Sequence, residues 1–237
     1  MTMNREGSYR AKFGRAKELL THISGFEAYQ PFRPEEQIPG MTALIDGLFI
    51  ANEKVARATD SLKSQTDDRS EAFYGKNGSF LQLIIQIKSA VESQFGKKSS
   101  EATMINRSIA LIRSARSKKS KKKDAEAQTE TPPARKERNF VAIPQVLNEI
   151  IVSLANYPDY APSHENVKVD TLKAFHQKLT GLNEQVAIKD LELGNARDIR
   201  RVLYEDLAAR VQRIKIYVKG QYGLKSREYM TIKGMRF

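Results

Sequence analysis

The sequence predicts an all-α fold, an internally duplicated helical bundle in which two three-helix repeats are joined by a basic linker. One phrase occurs twice, as QFGKKSSEATMI at 94–105 and as QYGLKSREYMTI at 221–232. Apolar residues recur at steps of three and four, as they do on one face of a helix, and no stretch sustains the alternation of a β-strand. Between the two copies lies a polar stretch rich in Lys and Arg, at 113–138.

The repeated phrase belongs to a longer match between the two halves of the chain. At an offset of 131 residues, FEAYQP at 26–31 falls on YPDYAP at 157–162. From residue 80 onward the offset becomes 127, and the missing four residues correspond to the turn-forming sequence GKNG at 75–78. We therefore expect an internal duplication. The apolar residues that coincide after the turn are Phe80, Ile84, Ile87, Val91 and Phe95 with Leu207, Val211, Ile214, Val218 and Tyr222.

The first two helices of each copy are predicted from their apolar stripes. The first spans about 9–25, and its twin starts near Pro144, because proline suits the first helical position. The second is longer and is predicted to end near Tyr74 and, in the twin, near Tyr204, with the Gly-Asn pair at 194–195 as a candidate break. Its stripes are Met41, Leu44, Leu48, Ala51 and Val55, and Leu172, Phe175, Leu179, Leu182 and Val186.

The third helix is predicted to end at Gly96 in the first copy and at Gly223 in the second. Glycine just past the last turn can adopt the left-handed conformation that helix ends favour. Ser99 and Ser226 follow, each two residues before a Glu, which is typical of a new helix start. We interpret the repeated phrase as a helix stop and restart, with a docking surface shared by both copies as the alternative.

The predicted domain organisation is a first helical repeat at 1–112, a basic linker at 113–138 and a second repeat at 139–237. The linker is expected to be disordered, because its composition offers little to bury. Two assemblies are compatible with the helix lengths. The first and third helices could lie end to end along the second, so that both copies form one elongated bundle with a pseudo-twofold axis. Alternatively, each copy forms its own three-helix bundle.

The composition indicates a globular chain without disulfides. The chain has 237 residues, of which 40% are hydrophobic, and no Cys, which excludes thiolate nucleophiles and Cys-based metal sites. No apolar run approaches the ~20 residues that span a bilayer, and the first residues lack the apolar core of a signal peptide. We therefore expect a cytoplasmic protein with no membrane contact.

The positive charge is concentrated in two stretches. The formal net charge is +12. Residues 113–138 hold 10 Lys/Arg and 4 Asp/Glu, and residues 210–237 hold 8 Lys/Arg and 1 Glu. Because such stretches attract acidic partners, the candidate anion or partner contacts are Lys118, Lys119, Lys121, Lys122, Lys123, Arg210, Arg213, Lys215 and Lys219.

Motifs that could carry chemistry are weak. YMTIK at 229–233 has the Tyr-x-x-x-Lys spacing of short-chain dehydrogenases but lacks a dinucleotide-binding fold. FGKKSS at 95–100 lacks the first Gly of a phosphate loop. The three histidines have no metal-binding spacing. We therefore predict no catalytic residue, cofactor or metal, and a protein that is not an enzyme.

Two phrases of the second copy, YPDYAPSHENVKVDTLKAFHQKLTGLNEQVA and YVKGQYGLKSREYMTIKGMRF, resemble those of a set of uncharacterised helical proteins from Bacteroidetes-type bacteria. That set carries a Tyr-x-Pro-x-Glu-like loop and a C-terminal phrase ending near Gly-x-x-Phe, and the Pro expected after its Ser is Arg227 here. The resemblance implies a duplicated helical fold and no known activity, so it transfers no catalytic residue. The matching positions are Tyr160, Pro162, Glu165, Tyr222, Gly223, Ser226, Tyr229, Ile232, Gly234 and Phe237.

The leading expectation for function is a helical interaction or structural protein that engages a protein or another acidic partner. The alternative is a nucleic-acid-binding protein of weak sequence specificity. In that case the linker lysines and the basic C-terminal helix would contact phosphates. Aromatic residues next to such basic groups can bind single strands, and Tyr217 and Tyr222 lie there, although Tyr222 continues the apolar stripe and is expected to pack in the core.

Overall fold

The computed structural model describes residues 5–116 and 134–237, and over these ranges the chain consists of helices and connecting loops with no β-strand. The all-α class is therefore confirmed. None of the helices in these ranges is long and apolar enough to cross a membrane. Short 3-10 helices at Pro34–Glu36 and Glu165–Val167 precede the two longest helices. The α-helices of the described residues are α1 (Arg5–Ser24), α2 (Ile38–Tyr74), α3 (Phe80–Phe95), α4 (Ser100–Arg116), α5 (Ala134–Ala155), α6 (Val169–Tyr222) and α7 (Arg227–Ile232).

The helices belong to two compact units, each of which uses chain from both sides of the predicted linker. Unit 1 comprises Met1–Ser61 and Asp190–Phe237, and unit 2 comprises Leu62–Lys189. Unit 1 therefore contains α1, the first part of α2, the last part of α6, and α7. Unit 2 contains the rest of α2, then α3, α4 and α5, and the first part of α6.

The core of unit 1 is built from apolar stripes on four helices. On each helix the buried positions recur at steps of three and four, so that one face is removed from water. Burial of such side chains stabilises a fold by roughly 25 cal/mol per Å² of apolar surface. The buried core residues are Ala16, Leu19 and Ile23 of α1, Met41, Leu44, Ile45 and Leu48 of α2, Tyr204, Leu207, Val211, Ile214 and Val218 of α6, and Ile232 of α7.

The core of unit 2 starts before the position at which the sequence predicted its helix to begin. Pro144 lies inside α5 and not at its first turn, which corrects the prediction. Phe140, upstream of this proline, is 7% exposed, and its ring meets Phe73 edge-on at 4.9 Å between centroids. Because that aromatic contact needs helix on the N-terminal side of Pro144, the helix continues despite the backbone hydrogen bond that proline cannot make.

The second and third predicted helices of the second copy form one helix, α6, of 54 residues. It passes through Gly194 and Asn195 without a break, so the candidate break there is not used. In the first copy the corresponding helices, α2 and α3, are separated by the turn at 75–78, and α2 ends at Tyr74 as predicted. The difference follows from the four turn residues that the second copy lacks. The two halves of the chain consequently differ in helix number, so two equal three-helix repeats are not confirmed.

The repeated phrase forms a helix stop and restart at both places, as predicted. Gly96 and Gly223 have φ values of 90° and 97°, in a region that favours glycine. The Ser99 hydroxyl accepts a hydrogen bond from a backbone amide of α4 at 3.0 Å. The Ser226 hydroxyl accepts one from the Tyr229 amide at 3.1 Å. Each serine therefore caps the helix that follows it.

The predicted linker at 113–138 is only partly described. Its first residues, 113–116, belong to α4, and its last, 134–138, belong to α5. Residues 117–133, which include the lysine cluster, lie outside the described residues.

Each unit contains chain segments from both sides of the linker, and this predicts how the protein behaves after proteolysis in the linker. Trypsin should cleave first between Arg113 and Arg138, where Lys and Arg are dense. The two fragments should then co-elute on a native sizing column, because each core contains residues from both fragments. Fragments that separate without denaturant would contradict this arrangement.

The positive φ of Gly223 predicts that replacing this glycine lowers the stability of the fold. Gly223→Ala should lower the free energy of unfolding by about 1–3 kcal/mol, because an L side chain is strained in that conformation. Gly220→Ala is the matched control, since Gly220 lies inside α6 with open space around its Cα and should gain up to about 1 kcal/mol. Urea titrations would measure both changes, and equal effects would contradict the assignment of strain.

Candidate functional site

The loop that joins α1 to α2 in unit 1 is fastened to α6 by hydrogen bonds. The Tyr222 hydroxyl donates to the Glu27 carbonyl at 2.7 Å. The Gln30 amide donates to the Tyr217 hydroxyl at 3.1 Å. Ala28, between these two contacts, has a φ of 55°, which is uncommon for a residue with a side chain. The loop is thus held in one conformation against the helix.

Aromatic contacts and a buried ion pair support the same loop. The Tyr29 hydroxyl donates to the Glu36 carbonyl at 2.8 Å, and burial raises the pKa of Tyr29 well above its usual range. The Tyr29 ring meets the Tyr217 ring edge-on at 5.6 Å. The Glu36 side chain is 6% exposed and pairs with the Arg213 guanidinium. Since a buried carboxylate without a partner is costly, Arg213 is required where it lies.

Two other predicted contact residues also serve unit 1 internally. Arg210 binds the Asp206 carboxylate through two nitrogens, at 3.1 and 2.7 Å, and donates to the Glu35 carbonyl at 2.9 Å. The Lys215 ammonium donates to the Lys233 carbonyl at 3.3 Å and to the Met235 carbonyl. Burial lowers the pKa of Lys215, and the nearby positive charge of Arg236 lowers it further.

The structure therefore separates the candidate contacts that the sequence grouped. Arg210, Arg213 and Lys215 hold the loop and the C-terminal segment against α6. Lys219 is exposed. The linker lysines lie outside the described residues.

The surface of unit 1 carries exposed apolar side chains beside exposed cations. Phe32, in the fastened loop, is 98% exposed, and Ile216 of α6 is 70% exposed. Leu224 and Met230 are 59% and 49% exposed. Sequence analysis did not select Phe32, although its position between two prolines, in PFRP, is a recognisable signal of a rigid loop residue. The exposed cations of the same end of the chain, here called the basic end, are Lys219, Lys225, Arg227, Lys233 and Arg236.

Unit 2 contains a loop of the same design between α5 and α6. The Tyr160 hydroxyl donates to the Val167 carbonyl at 2.8 Å, and burial raises the pKa of Tyr160 to about 12. The Phe95 and Tyr157 rings meet edge-on at 5.7 Å. The Glu36–Arg213 ion pair of unit 1 has no counterpart in unit 2, because the corresponding residues there are Val167 and Gln86. A cleft of about 590 Å³ lies beside this loop, lined by Gln86, Ser89, Ser93, Gln94, Ser163 and His164 among others.

A further cleft of about 750 Å³ lies in unit 1 between α1, α2 and α6. Its walls include Phe13 and Phe49, whose rings stack at 6.4 Å. The Arg200 guanidinium lies 4.2 Å from the centre of the Tyr9 ring. The rim carries both acidic and basic side chains, so its charge does not select one kind of ligand.

Among the described residues, no group of three or more His, Asp or Glu is placed to hold a metal ion. Comparison of the chain with protein-family models, with curated proteins and with solved structures gave no match. The arrangement that remains is a pair of fastened loops, of which one presents apolar and basic groups to solvent.

The raised pKa of Tyr160 predicts a change in stability at high pH. Tyr160→Phe should lower the free energy of unfolding by about 0.5–1.5 kcal/mol near neutral pH, because one hydrogen bond is lost. The folded state favours the neutral phenol, so its contribution is present below the unfolded pKa of 10.0 and is lost as the pH rises toward 12. Urea titrations at pH 8 and pH 11 should show the gap between wild type and variant narrowing, and a constant gap would contradict the raised pKa.

Proposed function

We propose that the protein is a non-enzymatic interaction protein that engages an acidic protein partner through the basic end of unit 1. The observation that supports this proposal is the mixture of exposed cations with exposed aliphatic side chains, Ile216, Leu224 and Met230, on one end of the chain. Cations favour acidic partners and speed their association. Exposed aliphatic groups provide apolar area that a protein partner can bury.

The aromatic contacts favour a protein partner over a nucleic acid. Binding of single strands without sequence preference relies on aromatic rings on which bases stack. Tyr217 and Tyr222 were the candidates for this role, but both rings are half-buried, and their hydroxyls hold the loop of unit 1. The Tyr217 ring meets Tyr29 edge-on at 5.6 Å, and the Tyr222 ring meets Phe26 edge-on at 5.9 Å. Both tyrosines therefore serve contacts inside the unit, which favours a protein partner over the nucleic-acid alternative.

The proposal includes an internal duplication of the chain. Several contacts of one unit recur in the other, and the corresponding residues are 131 positions apart in the sequence. The Arg69 guanidinium lies 4.0 Å from the Phe140 ring centre, as Arg200 lies 4.2 Å from the Tyr9 ring centre. The loop tyrosines, Tyr29 and Tyr160, make the same hydrogen bond. In this interpretation each unit combines the first part of one copy with the last part of the other. A cytoplasmic location belongs to the same proposal, on the basis of the Cys-free composition.

The test uses a photo-crosslinking amino acid, p-benzoylphenylalanine, in place of Leu224 of the full chain, in the cells that naturally produce it. The expected result is a protein adduct that resists nuclease, and whose crosslinked peptide is acidic. Formation of the adduct should decrease at high salt, because exposed charges are screened. The matched control places the probe at Val152 of α5 in unit 2, which is 53% exposed.

Nuclease-sensitive adducts would contradict the proposal and support the nucleic-acid alternative. In that case affinity should fall steeply with salt, and Gln at the five linker lysines should flatten the dependence. Equal labelling from Leu224 and Val152, or none from either, would remove the proposed binding role of the basic end.

A further inference from the structure

We propose that Phe32 is the apolar anchor of this interaction. Its ring would enter an apolar pocket in an acidic segment of the partner, while Arg33 and Lys219 would meet carboxylates around that pocket. This inference rests on the proposed function and specifies the residue on which affinity depends. Phe32 is 98% exposed, although removal of a large apolar side chain from water is favourable.

The loop holds Phe32 in a fixed position. Pro31 and Pro34 restrict the backbone on both sides of it. The Gln37 side-chain amide donates to the Pro31 carbonyl at 3.1 Å, which closes the loop around the Phe32–Arg33 pair. Because the backbone on both sides of Phe32 is restricted, the ring cannot enter the core without a rearrangement of the loop, and little backbone freedom is lost when a partner binds. Such preorganised aromatic residues are typical of interface hot spots.

Ile216 is a second exposed apolar side chain, on the helix to which the loop of Phe32 is bound. It lies on α6 between Arg213 and Tyr217, and both of these residues bind the loop that carries Phe32. Ile216 is 70% exposed, and Lys219 follows one helical turn later. Two apolar side chains are therefore bordered by two exposed cations, Arg33 and Lys219.

The corresponding loop of unit 2 indicates that the fold does not require these apolar groups. At an offset of 131 residues Phe32 corresponds to Ser163, and at an offset of 127 Ile216 corresponds to Ser89. The unit 2 loop keeps the same tyrosine hydrogen bond with serine at both positions. Ser89 and Ser163 line one cleft, so the two positions are neighbours in that unit. The exposed Phe and Ile are therefore explained by binding and not by folding.

Charge selects an acidic partner over a second copy of this chain. Unit 1, which comprises 1–61 and 190–237, holds 19 Lys/Arg and 14 Asp/Glu, and its excess of positive charge lies in 190–237. Two copies meeting at this surface would bring positive charges together, which opposes association. An acidic protein segment with an apolar cluster can pair with the cations and cover the exposed Phe32 and Ile216 side chains.

The experiment places p-benzoylphenylalanine at position 32 of the full chain, in the producing cells, with position 163 as the matched control. Position 32 should crosslink the same acidic protein as position 224, through a peptide that contains apolar residues, and position 163 should not. Purified Phe32→Ser should then bind that protein at least about tenfold more weakly than wild type, as truncation of a hot spot does. Arg33→Gln combined with Lys219→Gln should weaken binding and reduce its salt dependence.

The thermal midpoint of Phe32→Ser should match that of wild type, because the ring makes no buried contact, so a loss of binding cannot be attributed to unfolding. The reciprocal variant Ser163→Phe should leave affinity unchanged. Adducts from position 224 without adducts from position 32 would overturn the anchor and leave the proposed function intact. Absence of adducts from both positions would overturn both. Adducts to a second copy of this chain, or to nucleic acid, would also overturn the anchor.

Discussion

Each unit depends on apolar helix faces that come from opposite sides of residues 117–133. In unit 1, α1 and α2 provide one part of the core, and α6 and α7 provide the other. Leu207, Ile214 and Val218 are fully buried in that core, so the earlier helices alone would leave an apolar face in water. The same reasoning applies to α3 and α5 in unit 2. Burial of these faces holds the two parts of the chain together, and hydrogen bonds then fix the loops against the packed helices.

The fastening of the loops decides which charged groups remain available to a partner. Charge density in the sequence suggested that Arg210, Arg213, Lys215 and Lys219 are all candidate contacts. Arg213 is required by a buried carboxylate, and Arg210 by a carboxylate and two backbone carbonyls. Such arginines have structural roles, and their replacement would disturb the loop before it changed any binding. The cations that stay exposed in unit 1, among them Arg33 and Lys219, are therefore the ones available for the proposed interaction.

Much of the fold was predictable, because it follows from local patterns. The apolar spacing located the helices, and the glycines and serines of the repeated phrase located the stop and restart at Gly96 and Gly223. The start of α5 was not predictable from Pro144, since a long-range contact between Phe140 and Phe73 decides it. The pairing of Glu36 with Arg213 joins residues 177 positions apart, and local spacing carries no signal for such a contact. For the same reason the sequence could not tell which basic residues serve the fold and which remain exposed.

The α1–α2 loop of unit 1 and the α5–α6 loop of unit 2 share the contacts that close them and differ in their exposed side chains. Both keep a tyrosine that donates to the carbonyl seven residues later, and this hydrogen bond closes either loop. They differ at the positions that face solvent, where unit 1 has Phe32 and unit 2 has Ser163. Since the same loop forms with either side chain, stability does not decide between them. An exposed phenyl ring on a fixed loop contributes little to folding, so this difference between the loops is the one from which the proposed interaction is argued.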